Sequence, residues 1–282
     1  MPNFVRLLLV FAALVLTACH SSEPSSTVTP TTTPATAAVP AEDADKLLHQ
    51  LATQDGCQDS TADLRLSFTD AGGKAQQMDF RLQRKYEGAK VSTMLTVQAP
   101  QEEREKALLA FEETGKATDV ISYLAGLKKV AHLKSDNPLN FRGARNTVQE
   151  MLGMELGKYD IVSRRFVSAP GNDAPWIAEL KAKSGMNLSY PKIEVVFASS
   201  QPQRFVLFDT RGEKARTIDV AEIKAVQNHQ TLVRLDIEDH KQQQKLQLQT
   251  RSIKYDTNLP ASLFTEANLI KIVSAASQQA IQ

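Results

Sequence analysis

Apolar and polar side chains alternate over long stretches of this chain. Leu64, Leu66 and Phe68 interleave with Asp63, Arg65 and Ser67, and Met78, Phe80 and Leu82 interleave with Asp79, Arg81 and Gln83. A period of two puts each apolar set on one face of a β-strand. Between the two runs, Asp70-Ala71-Gly72-Gly73 is turn chemistry. The pair therefore predicts an antiparallel hairpin with one wet face and one apolar face. Val91, Thr93, Leu95 and Val97 continue the meander to Pro100.

The same pattern predicts further strands along the chain. They fall at Asp119 to Leu124 and Lys128 to Leu133 about Gly126, Tyr159 to Val167, Trp176 to Ala182, Ile193 to Ala198, Phe205 to Asp209 and Lys214 to Asp219. Leu232 to Glu238 and Leu246 to Tyr255 form a last hairpin. Arg104 to Glu113 holds a short apolar run, Ala107 to Phe111, which periodicity leaves open between helix and strand. Helical signals are few. Leu47, Leu48 and Leu51 form a narrow stripe behind Glu42, Asp43 and Asp45, ending near Gly56. Asn146 to Leu156 reads as a short helix, with Asn146 as cap, Gln149 three residues on and Gly157 closing it. Pro260 and the segment Ala261 to Phe264 finish the body, and the Gln-rich tail beyond has little to bury.

These elements predict a mainly β (α+β) body of about eleven strands. A meander of that size curls, because its right-handed twist accumulates. It either closes into a barrel or stays half open with short helices over its mouth. Either way Leu64, Leu66, Phe68, Met78, Phe80, Leu82, Leu95 and Val97 face inward and line an apolar cavity. Arg65, one position out of phase with that set, is expected to tolerate even Asp at a cost within about 1 kcal/mol.

The N-terminal pattern is different. Leu7 to Leu16 is uninterrupted and apolar, too short to span a bilayer and the right length for a secretory h-region. Arg6 precedes it, and Leu16-Thr17-Ala18-Cys19 ends it. That ending resembles the bacterial lipobox, which implies cleavage before Cys19 and acylation of its thiol. His20 follows where an aspartate would retain the protein in the inner membrane, so the Gram-negative sorting rule implies the outer membrane, facing the periplasm. From His20 to Pro40 the chain is Ser, Thr, Pro and Ala with almost no charge, a composition that stays disordered. The expected organisation is signal peptide over 1–18, acylated tether over 19–41, body over 42–272 and flexible tail over 273–282.

Charge changes the picture little. Net charge is +1, and no basic stripe with interleaved aromatics points to nucleic acid. Of two cysteines, acylation takes Cys19, which leaves Cys57 without a partner for a disulfide and reads as a small buried hydrophobe. His49, His132, His229 and His240 are scattered, and no metalloprotease, redox or nucleophile-elbow motif occurs. No cofactor is expected. Asp236, Glu238, Asp239 and His240 precede a polar turn and read as a solvated loop, and Trp176 reads as core. Lys128-Lys129 and Arg164-Arg165 read as the wet face of strands.

Five short blocks carry a family resemblance. They are Asp119 to Val130 with its Lys128-Lys129 pair, then Phe141-Arg142-Gly143 before the short helix, and finally Tyr190-Pro191-Lys192, Phe208 to Gly212 and Leu259 to Phe264. Together they resemble the outer-membrane lipoprotein-sorting family, the LolA/LolB-like carriers, across most of Ala62 to Leu269. The resemblance implies an unclosed antiparallel half-barrel with a helical lid, holding acyl chains of lipoproteins or lipids. It implies a non-enzymatic role in envelope biogenesis, anchored to a membrane through Cys19. A tethered assembly or stress-sensing module that binds an envelope protein, its cavity filled by its own side chains, is the alternative.

Overall fold

The computed structural model describes residues 57–279, apart from 71, 114, 135–136, 142–143, 154–155, 168–173 and 199–200. Cys19, the tether and the helix expected before Gly56 lie outside the described residues.

The first half of the sheet comprises β1 (Asp59–Thr69), β2 (Ala75–Glu87), β3 (Lys90–Ala99), β4 (Ala107–Glu113), β5 (Asp119–Leu124) and β6 (Lys129–Leu133). The second half comprises β9 (Tyr159–Phe166), β10 (Trp176–Ala182), β11 (Lys192–Ala198), β12 (Gln201–Phe208), β13 (Lys214–Val226), β14 (His229–Asp239) and β15 (Gln244–Tyr255). Between the halves lie a two-stranded ribbon, β7 (Pro138–Phe141) and β8 (Ala144–Thr147), and the short helix α1 (Val148–Leu152). A second helix, α2 (Glu266–Gln279), follows the last strand.

All thirteen strands of the main sheet run antiparallel to their neighbours, in the order β6-β5-β4-β3-β2-β1-β15-β14-β13-β12-β11-β10-β9. The chain starts at the centre, walks out to β6, crosses over, and walks back from β9 to pair β15 with β1. The edges β6 and β9 are not paired with each other, so the sheet is unclosed. The expected half-barrel is present, with thirteen strands where the periodicity counted about eleven. The additional strand length arises where a β-bulge hides it. β13 and β14 continue past Asp219 to a two-residue turn at Gln227-Asn228, both with positive φ, and register shifts at Val220–Ile223 break the alternation.

The predicted faces hold. Leu66 sits opposite Met78 and Leu64 opposite Phe80, while Phe80 pairs onward with Val97 and Leu82 with Leu95. Leu66, Phe68, Met78, Phe80, Leu95 and Val97 form one buried cluster, with Leu64 and Leu82 packed against it half-buried. Val148 and Leu152 of α1 insert into the same cluster. In the other half, Trp176 stacks on Phe197 at 4.4 Å within a core that includes Ile193, Phe205 and Leu207.

The ambiguous run at Ala107 is a strand, and both of its faces are covered. Leu108 and Ala110 join the concave cluster, whereas Ala107 and Leu109 join a convex one with Met94 and Ile121. A strand buried on both faces has no polar phase for periodicity to detect. The convex cover is α2, whose Leu269 and Val273 are fully buried. This corrects the expected end of the body at 272. The Gln-rich tail reads as having little to bury because its apolar positions are spaced for a helix and the surface they cover lies elsewhere in sequence.

Two further corrections concern ends and charges. Thr147, not Asn146, caps α1, with Glu150 completing the capping box, and Gly153 rather than Gly157 ends the helix. Arg65 is not an idle outward residue. It grips Asp79 across the strand pair with bonds of 2.7 and 2.8 Å, so Arg65→Asp would set two carboxylates face to face. Cys57 is buried as expected, and burial, with Asp256 and Asp59 nearby, pushes its thiol up to about 11.

The face assignment predicts a contrast between neighbours in β1. Leu66→Asp buries an unpaired charge and should lower unfolding free energy by roughly 3 kcal/mol or more. Arg65→Gln, which keeps a polar partner for Asp79, should cost about 1 kcal/mol or less. Urea melts of both variants decide it, and equal losses would refute the assigned faces.

Candidate functional site

The concave face encloses a cavity of about 140 Å³ under α1. One wall is apolar: Leu64, Leu66, Phe80, Leu95, Leu235 and Leu248. These residues come from both sides of the β1–β15 pairing, which shows how far the sheet curls. The polar part of the lining is Asn146, Gln149, Glu150, Tyr159, Tyr190 and Arg216, beside Leu207 and Ile218. A second apolar pocket of about 200 Å³ lies beyond Leu95, lined also by Val97, Leu108, Pro138 and Leu139, with Lys106 at its rim.

Two guanidinium groups hold α1 over this space. Arg216 of β13 places Nε 3.0 Å from Glu150 Oε1 and Nη2 2.9 Å from Asp239 Oδ2, and its Nη1 donates to Asn146 Oδ1 at 3.3 Å. Tyr190 donates its phenolic O–H to the same Glu150 carboxylate. Burial and then the Glu150 charge push that phenol far above its ordinary range, so it remains a donor. Asp239 is in turn fixed by backbone N–H groups of Lys241 and Gln242, at 3.0 and 2.9 Å. On the other half of the sheet, Arg84 of β2 donates to the carbonyl of Leu152 at the helix C-terminus. Gly153 makes room for it: with φ +93°, a Cβ there would come within 3.0 Å of Arg84 Nη2. The helix is therefore tied to both halves of the sheet by charge-assisted bonds.

Of the residues expected to face a cavity, Leu64, Leu66, Phe80 and Leu95 line this one, and Leu95 and Val97 line the neighbouring pocket. Phe68, Met78 and Leu82 belong to the packed cluster around it. The polar wall was not anticipated. The capping box expected from Asn146 and Gln149 left Glu150 without a role, and Asp239 was legible only as part of a loop cluster. Asp239 faces Arg216 across the β13–β14 hairpin, whereas Glu150 reaches it from a segment far away in sequence. The rest of that loop cluster is engaged elsewhere: His240 meets Thr217 Oγ1 at 2.7 Å and Asp236 accepts from Gln247. His132 lies on the edge strand β6, exposed, 3.0 Å from Asp119.

A family model described as uncharacterized proteins matches residues 89–271, more than half of the chain. No curated protein sequence matches. Among solved structures, the chain is similar to an outer membrane lipoprotein-sorting protein domain from Vibrio parahaemolyticus, with 19% identity, TM-score 0.68, and coverage of 81% of this chain and 97% of that one. It is also similar to a DUF1329 family protein from Desulfovibrio piger, with 15% identity, TM-score 0.70, and coverage of 82% and 99%. A LolA superfamily protein from Nitrosomonas europaea matches at 14% identity and TM-score 0.63 over 80% and 98%. The fold is thus the lipoprotein-sorting, LolA-like half-barrel that the sequence blocks resembled.

The ion network gives a sharp stability prediction. Arg216→Ala leaves Glu150 and Asp239 buried without their counter-charge and should cost about 3–5 kcal/mol. Tyr190→Phe removes one bond to Glu150 and should cost about 1–2 kcal/mol. Denaturant titrations measure both, and a loss under about 1 kcal/mol for Arg216→Ala would mean the network is solvated.

Proposed function

The chain belongs to this family of uncharacterized proteins, and from its half-barrel we propose that it binds acyl chains of lipids or lipoproteins at a bacterial membrane. The observation that carries this reading is the apolar concave wall, covered by one five-residue helix and tied down at polar latches. A helix so short contributes little cohesion of its own. With α1 seated, the space approaches that of an apolar cavity of roughly 150 Å³, which takes a benzene-sized guest. A whole acyl chain enters when α1 lifts off the apolar wall, exchanging Val148 and Leu152 for ligand hydrocarbon there while Glu150 stays paired with Arg216. The charged groups of the site serve to hold α1, so the protein acts as a binder and not as a catalyst.

The similar Vibrio parahaemolyticus domain, whose name refers to lipoprotein sorting, supports a role in envelope biogenesis. The lipobox-like Leu16-Thr17-Ala18-Cys19 supports anchoring through an acylated Cys19 in the outer membrane, facing the periplasm. An anchored protein fits an acceptor or a resident binder better than a shuttle. A second reading has its own support. Val148 and Leu152 are fully buried in the concave cluster, as they would be in an interaction module whose cavity is permanently self-filled.

Two experiments separate these readings. The chain from residue 20 retains the whole compact unit Thr36–Gln282. Titrated with a series of fluorescent acyl probes, it should bind more tightly as the chain lengthens, by up to roughly 0.8 kcal/mol per CH₂. Absent binding, or affinity independent of length, would favour the self-filled module. Separately, Cys19→Ser should move the protein out of the membrane fraction, and retention of that variant in the membrane pellet would sink the anchor.

A further inference from the structure

Within the polar wall, the hydrogen-bond account closes for every side chain except one. Arg216 uses Nε, Nη1 and Nη2 on Glu150, Asn146 and Asp239. Glu150 accepts from Tyr190 and from the Thr147 N–H. Tyr159 donates to the Tyr190 carbonyl at 2.8 Å, and Gln149 bonds Tyr159 through Nε2 and the Ser189 N–H through Oε1. The exception is Asn146. Its residue is 6% exposed and its Nδ2 has no partner among the described residues. The amide cannot be turned to relieve this. A guanidinium only donates, so the end facing Arg216 must be the oxygen, which leaves the NH₂ group on the far side. An unsatisfied buried donor is costly, and Asn146 lines the cavity with that Nδ2 covered until α1 lifts.

The charge around it narrows what can satisfy it. Two carboxylates, Glu150 and Asp239, face one guanidinium, Arg216, which leaves an excess of one negative charge beside Asn146. Arg84, at the far end of α1, is directed at the Leu152 carbonyl. An anionic acceptor entering this wall meets repulsion in a partly desolvated site. A neutral carbonyl does not.

We propose that Asn146 forms the polar subsite of the cavity, its Nδ2–H donating to the uncharged carbonyl of an ester- or amide-linked acyl chain. The hydrocarbon then lies along Leu64, Leu66, Phe80 and Leu248 of the apolar lining. This assignment rests on the acyl-binding reading and adds selectivity to it: acyl chains carried on a neutral linkage are accepted, and free fatty-acid carboxylates are discriminated against.

The test is a displacement series on the chain from residue 20, at about pH 8, where fatty acids in solution are ionised. The competitors of a fluorescent acyl probe are methyl palmitate, N-methylpalmitamide, palmitate and hexadecane. Methyl palmitate or the amide should bind about five- to tenfold more tightly than hexadecane and than palmitate, and the better of the two identifies the linkage. Asn146→Ala should erase that advantage and leave hexadecane binding unchanged, with a thermal melt confirming that the variant is folded. If the variant does not fold, the wild-type series alone decides. Equal affinity for ester, amide and alkane, or a preference for palmitate, overturns the subsite while the acyl reading stands. So does an Asn146→Ala variant that weakens all four competitors alike, or an ester advantage that survives the substitution because a water alone occupies the amide. If none of the four displaces the probe, the acyl reading fails together with the subsite.

Discussion

The pairing of β1 with β15 is the constraint on which the rest of the structure depends. It joins the first and last strands at the centre of a thirteen-stranded sheet, with Leu66 opposite Leu248 and Phe68 opposite Leu246. With the two strands that are remote in sequence paired in the middle, the two free edges are necessarily β6 and β9, which are joined by the crossover containing β7, β8 and α1. The open mouth and the element that covers it are thus one consequence of one pairing. The end of this seam is tied by Asp59. Its carboxylate accepts from the Thr257 N–H and hydroxyl at 2.8 and 2.9 Å and from the Leu259 N–H at 3.0 Å. Burial pushes the Asp59 carboxyl up, but those three bonds outweigh it and hold the group below its ordinary value.

Curvature then creates two different surfaces. On the convex side, α2 buries Leu269 and Val273 against Met94, Leu109 and Ile121, which makes β3 to β5 the part of the sheet packed on both faces. That doubly covered region is the stiff end of the molecule, because close-packed interiors deform little. On the concave side of the first half, the cover among the described residues is the five-residue helix α1 with Leu139 of β7. A thin cover on a rigid apolar wall is an arrangement in which displacing a few side chains exposes a large hydrocarbon surface.

What keeps that surface covered is polar. Arg216 and Arg84 reach α1 from opposite halves of the sheet, and both contacts are directional, in contrast to the apolar packing beneath. Buried ion pairs contribute modest net stability because desolvation offsets much of their attraction. They do specify one seated position for α1. The same network carries the one unpaired donor of the wall, on Asn146, so the polar side of the cavity both locks the helix and presents a recognition group.

Local sequence was enough to determine most strands of the main sheet, the inward set from Leu64 to Val97, the burial of Trp176 and the half-barrel class. The physical reason is that a strand with one wet face writes its orientation into alternating side chains. Local sequence failed where that alternation is absent. Ala107 to Ala110 carries no polar phase because both faces are covered, the bulge near Val220 shifts the phase, and α2 has a surface to bury only once β3 to β5 exist. The apolar wall of the site was legible by the same alternation. The polar wall was not. Arg216 and Asp239 already face each other across the β13–β14 hairpin, but they are unremarkable polar residues until the crossover brings Asn146 and Glu150 over them. Long-range contacts of that kind leave no periodic trace in one chain, so only the tertiary structure could decide them.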